Sequence, residues 1–154
     1  MSSIDLESKF KNFLLTYVDK SIIYKDLKNH LIWSANQVRR KSLNTKKVGQ
    51  ILSRKEKEFK NLKCFGDVYF LVYVATYKFR GCGPKYCYDL TRLISRWLNL
   101  QQKFVYVNKK NTRILKELGI VSTMGCVEKK DLPKYLQNIN LETVQDFLTY
   151  GIWG

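Results

Sequence analysis

The chain has 154 residues, 45% hydrophobic and 14% aromatic, with 28 Lys and Arg against 13 Asp and Glu and a net charge of +15. The length suits one domain or two small ones, and so aromatic a composition excludes a disordered basic tail. A charge excess of that size costs self-repulsion and fits a polyanionic partner, nucleic acid before anionic membrane; no apolar run reaches the roughly 18 residues of a membrane span.

Met1 to Glu7 is polar and acidic, unlike a secretory signal, so an intracellular protein is expected, in cytoplasm or nucleus, and in a host cell if it is viral. The first helix is expected over Ile4 to Val18, with Phe10, Phe13, Leu14 and Tyr17 on one face. The second is expected over Tyr24 to Val38, with Tyr24, Leu27, Leu31, Ala35 and Val38 facing inward. His30, the single histidine, is read as a packing or surface residue rather than a ligand.

Basic Arg39, Arg40 and Lys41 lead to Asn44, a good capping residue, and a third helix over Thr45 to Arg54. Val48, Ile51 and Leu52 form its inward face, and Lys46, Lys47, Gln50, Ser53 and Arg54 take the others. Gly49 costs such a helix about 1 kcal/mol relative to Ala and suggests close approach of another backbone. Residues 39–63 hold ten basic and two acidic residues, more than half of the whole net charge.

Beyond Phe59 and Leu62 the pattern changes. Val68 to Val74 is almost wholly β-branched or aromatic, which favours a strand, although both faces are apolar and a buried helix also fits. Lys60 to Tyr73 therefore reads as a hairpin. Arg80 to Lys85, with two glycines and a proline, is the clearest loop and a candidate boundary. A helix capped by Asp89, a strand over Lys103 to Val107 and a helix from Asn111 to Leu118 stopped by Gly119 follow. Two further helices begin at Asp131-Leu132-Pro133 and at Asn140.

Three short amphipathic helices followed by a hairpin is the winged-helix order. Tyr24-Lys25-Asp26-Leu27, Val48-Gly49-Gln50-Ile51-Leu52 and the aromatic segment ending near Tyr73 resemble the winged-helix DNA-binding superfamily over residues 5–77. The likeness is to the RFX-type domain and to the C-terminal winged helix of viral and plasmid primase-helicases. Where such domains carry an Arg-rich entry to the wing, this chain has Lys and Glu, so their mode of reading is not carried over. The resemblance implies a third helix in the major groove and a wing near Lys60 and Lys63. On that arrangement Lys46, Lys47 and Arg54 meet phosphates or guanine edges, Gln50 pairs with adenine, and Arg39, Arg40 and Lys41 meet the flanking backbone.

The expected fold is thus mainly helical α+β. A winged helix-turn-helix domain spans 1–79, and a C-terminal α/β subdomain, a second winged helix or a dimerisation unit, spans 80–154. The expected function is binding of double-stranded DNA in transcription regulation or in replication of a mobile element or virus, with no cofactor. Homodimers are common among such domains, but the sequence does not fix the oligomeric state. RNA binding is the first alternative, with Tyr69, Phe70 and Tyr73 stacking bases if they are not core. A metal-dependent nuclease is the second, although Asp26, Asp67, Glu117, Glu128 and Asp131 show no grouping in their spacing, and phosphate-loop, zinc-protease and serine-hydrolase motifs are absent from the sequence. Cys82 and Cys87, spaced C-x4-C, admit a zinc knuckle or a disulfide; with Cys64 and Cys126 they are by default reduced thiols.

Overall fold

The computed structural model describes residues 3–17, 25–38 and 43–152. The chain divides into two units, a central one of Ser21–Gln101 and a terminal one that joins Met1–Lys20 to Gln102–Gly154. The fold is mainly helical, with one small antiparallel sheet. Among the described residues no helix is long and apolar enough to cross a membrane.

Helix α1 (Ser3–Thr16) belongs to the terminal unit. The central unit is built from α2 (Leu27–Gln37), α3 (Thr45–Arg54), α4 (Glu56–Lys60), α5 (Phe65–Thr76) and α6 (Pro84–Trp97). Asp26 starts α2: its carboxylate accepts from the Asn29 amide at 2.8 Å. Asn44 does the same for α3, accepting from the Lys47 amide at 3.1 Å. Leu27, Leu31 and Ala35 of α2 pack with Val48 and Leu52 of α3, Phe59 of α4, Val68 and Val72 of α5 and Tyr86, Leu90 and Ile94 of α6. Gly49 faces α2: a Cβ there would stand 3.3 Å from the Ile32 Cα. The expected close approach of a second backbone is therefore present, and it explains a glycine inside a short helix.

His30 is fully buried on α2, its Nε2 2.7 Å from the Leu93 carbonyl of α6. Burial lowers its pKa from 6.5, with the carbonyl pulling the other way. The buried hydroxyls of Ser34, Thr76 and Thr91 each donate to the carbonyl four residues earlier. The central core thus satisfies these hydroxyls within its own helices.

The expected hairpin over Lys60 to Tyr73 is not formed. Lys60 ends α4, Lys63 lies in the connection, and Phe65–Thr76 is helix α5. Phe65, Val68, Val72 and Thr76 are buried at helical spacing, which lets one face reach the core while the backbone bonds itself. An isolated two-stranded ribbon would leave one apolar face and its edges uncovered, so tertiary packing overrides the strand propensity. The wing expected near Lys60 and Lys63 is absent with it. Helix α6 also starts earlier than expected: Gly83 stands at the N-cap and Pro84 at the first position, while Asp89 lies inside the helix. The expected loop over Arg80–Lys85 is shorter, since Pro84 and Lys85 belong to α6, and it lies within the central unit, where α5 and α6 pack together on either side of it.

In the terminal unit, strand β1 (Phe104–Tyr106) pairs antiparallel with β2 (Cys126–Glu128), Val105 opposite Val127. Between them lies α7 (Thr112–Glu117), which ends at Leu118 and Gly119, the glycine at φ +70°. A 3-10 turn (Lys129–Asp131), α8 (Lys134–Gln137) and α9 (Leu141–Asp146) follow, and α9 runs on into a π turn over Phe147–Gly151. Asn140 caps α9 as its residue type suggests, accepting from the Glu142 amide at 2.8 Å. Leu6 and Phe10 of α1 enter this core, the Phe10 ring 4.9 Å from that of Phe147. Gln145 is buried and serves Tyr106 as a neighbouring strand would: its Oε1 accepts from the Tyr106 amide at 2.7 Å and its Nε2 donates to the Tyr106 carbonyl at 2.8 Å.

Candidate nucleic-acid interface

Helix α3 buries Val48, Gly49 and Leu52 and exposes Lys46, Lys47, Gln50 and Arg54. The expected amphipathic third helix is present over the expected residues. Its first turn holds no acidic residue and two lysines. A helix N-terminus carries a partial positive charge, so cations there are unfavourable. Neither lysine is ion-paired: among the described residues no carboxylate lies within 4 Å of Lys46, Lys47, Arg54, Lys57, Lys63 or Arg80.

Local contacts fix this face. The Thr45 hydroxyl donates to Asn36 Oδ1 at 2.9 Å and ties the start of α3 to α2. Lys47 Nζ stands 5.9 Å from the centroid of the Phe79 ring. Leu43, just before α3, lies against Gly81, where an added Cβ would meet the Leu43 Cβ at 3.6 Å. These two contacts set the Phe79–Gly81 loop, which carries exposed Arg80, against the start of α3. Sequence reading missed Arg80 as a site residue, because the contact spans more than thirty residues of chain.

The other expected site residues fare differently. Lys60 pairs with Glu56 of its own helix at 3.2 Å, and Lys55 with Glu58 at 3.8 Å. Lys63 is exposed but sits on no hairpin. Arg39, Arg40 and Lys41 lie outside the described residues. In the terminal unit, Lys110 packs over the Tyr150 ring at 4.6 Å and Arg113 pairs with Glu117 at 3.2 Å, so both have local partners.

None of the four cysteines is in a disulfide. Cys82 and Cys87 are buried, and desolvation raises the Cys87 thiol pKa despite its contact with Thr76. They pack as small apolar groups. The five acids weighed as metal ligands are spread over both units: Asp26 caps α2, Glu117 pairs with Arg113 and Glu128 pairs with Lys130 at 3.0 Å. Among the described residues no three His, Cys, Asp or Glu side chains converge as a metal site. Comparison with known proteins found no matching family model, no matching curated protein and no matching solved structure.

Proposed function

We propose that the central unit binds double-stranded DNA by presenting α3 to the duplex. One observation carries this reading: Lys46 and Lys47 stand exposed in the first turn of α3, where the helix dipole makes cations costly, and among the described residues no carboxylate lies within 4 Å of either. A pair of charges placed against local stability is explained by an anion outside the protein. Lys46, Lys47, Arg54 and Arg80 meet phosphates, and Gln50, one turn beyond Lys46, faces base edges. Arg39, Arg40 and Lys41 add to the flanking contacts. The helix pair α2–α3 does the work of a helix-turn-helix without the wing. Control of transcription, or replication of a mobile element or virus, is the setting that suits such a binder.

The test is titration of duplex DNA, single-stranded DNA and duplex RNA by fluorescence anisotropy at several salt concentrations. With about six phosphates engaged, log K for duplex DNA falls with log salt at a slope of about −5. Lys46→Glu combined with Lys47→Glu lowers duplex affinity by about a hundredfold and flattens that slope. The same pair raises the melting temperature slightly, since acids suit the first turn. Lys109→Glu with Lys110→Glu is the control in the terminal unit and changes affinity by only about threefold through long-range charge. A slope near −1, or the larger loss in the control, moves the site away from α3.

A further inference from the structure

The buried face of α5 is matched by an apolar stripe on its outer side. Phe70, Tyr73, Val74 and Tyr77 are 67, 48, 44 and 53% exposed. Their spacing of i, i+3, i+4 and i+7 makes one continuous helical face. The Tyr73 and Tyr77 rings are already stacked, 5.9 Å apart at 27°. Gly66 lies on the same face one turn before Phe70, and a Cβ there would meet nothing within 4 Å. From Cys64 to Tyr77 the chain holds no Lys or Arg, in a protein with 28 of them. A nucleic-acid partner would need cations along this face, and α5 supplies none before Lys78, just past its far end.

The charges at its two ends decide the occupant. Asp67 and Lys78 are both exposed and 11 residues apart, about three turns or about 16 Å along the helix, so they share one edge of the stripe. Asp67 has no cation within 4 Å among the described residues. Lys78 rests over the Tyr77 ring at 5.8 Å. A second copy of α5, laid antiparallel about a two-fold axis near Val72, puts its Lys78 opposite Asp67 and its Asp67 opposite Lys78. The same operation sets Tyr77 of each copy over Gly66 of the other. We propose that this stripe is the interface of a homodimer, formed by antiparallel packing of α5 on α5. Three rings and Val74, each about half exposed, offer roughly 400 Å² per copy. Two copies bury roughly 800 Å², below the roughly 1,200 Å² at which stable interfaces begin, so the dimer is weak and reversible. The proposal does not depend on the nucleic-acid reading.

Sedimentation of the full chain without nucleic acid, from micromolar to sub-millimolar concentration, tests it. The wild type shows a monomer–dimer equilibrium. Phe70→Ser, at an exposed position that leaves the core intact, raises the dissociation constant about 30-fold. Asp67→Lys weakens the dimer, and adding Lys78→Glu to it restores association, since the swapped charges meet again across the two-fold axis. A wild type that stays monomeric throughout, a Phe70→Ser chain that associates as before, or a double variant no better than Asp67→Lys overturns the proposal. A monomeric wild type whose single-stranded DNA affinity falls with Phe70→Ser makes the stripe a base-stacking platform instead.

Discussion

The two units are of similar length, 81 and 73 residues, yet the central one carries 17 basic and 5 acidic residues and the terminal one 11 and 8. Net charges of +12 and +3 result, so four-fifths of the excess rides on one unit. Polar groups are used differently as well. The terminal unit turns amides inward: Gln145 bonds Tyr106 and Gln102, Asn111 bonds the Tyr106 carbonyl and the Asn108 amide, and Asn108 bonds Asn111 and Lys110. The central unit closes the buried hydroxyls of Ser34, Thr76 and Thr91 within their own helices and exposes most of its described lysines. One unit spends polarity on holding itself together, and the other displays charge to solvent. The central unit therefore offers the cations that the proposed duplex contact needs, and the terminal unit is tied together by inward-facing amides.

The largest expected effect tests that network. Gln145→Leu strips the Tyr106 amide and carbonyl of their partner and leaves Gln102 with one acceptor fewer, at bonds that are buried or partly buried. Each orphaned buried group costs about 1–3 kcal/mol, so the terminal unit loses about 3 kcal/mol. Amide hydrogen exchange, read unit by unit, checks this: protection falls in β1, α7 and α9 and holds in α2, α3 and α6. Equal loss of protection in both units would mean that they unfold together, with no separate stability for either.

The same contrast governs what could be read from the sequence. Helix α3 was legible because its signals are local: Asn44 at the cap, apolar residues at i, i+3 and i+4, and a glycine where α2 passes close. Lys46, Lys47, Gln50 and Arg54 were legible with it, as substituents on its outer faces. Helix α5 reads as a strand from its sequence alone, because β-branched and aromatic residues fill both of its faces. Its true period shows only once α6 defines which face is covered. Strand β2 is three residues long and exists through its pairing with β1, so its own composition carries little signal. Gln145 reaches back 39 residues to Tyr106, and no pattern in one segment announces such a bond.

A middle-sized effect sharpens the comparison from the other side, by stabilising the terminal unit alone. Thr123 and Cys126 exchange backbone bonds of 2.9 and 3.1 Å around Met124 and Gly125, which sit at φ +53° and +76°. Two successive left-handed residues make a type I′ turn, for which Asn-Gly is the favoured pair. Met124 is 97% exposed, so no burial offsets its backbone strain. Met124→Asn should stabilise the terminal unit by about 1 kcal/mol, seen as slower exchange at Val127 and Val105 with α2 and α3 unchanged. An unchanged or faster rate would place the strain elsewhere in the turn.

The smallest effect is expected in the central unit and depends on pH. His30 is the single histidine, and its pKa in the folded chain lies below 6.5 because burial disfavours the imidazolium more than the Leu93 carbonyl favours it. The unfolded chain therefore takes up a proton at His30 that the folded chain resists. Stability from this group is full above about pH 6.5 and is lost as the pH falls from there towards the folded pKa. Asp and Glu ordinarily titrate about two units lower, so the decline between pH 7.5 and 5.5 belongs to His30. Exchange protection of α2 and α6 should drop across that interval. His30→Gln, whose side-chain amide can still donate to the Leu93 carbonyl, should be flat across the same range, though less stable at pH 7.5 for its poorer fit. If His30→Gln declines as the wild type does, or if the terminal unit declines instead, then the acid sensitivity lies in the carboxylates. The central core would then owe nothing to the neutral imidazole that joins α2 to α6.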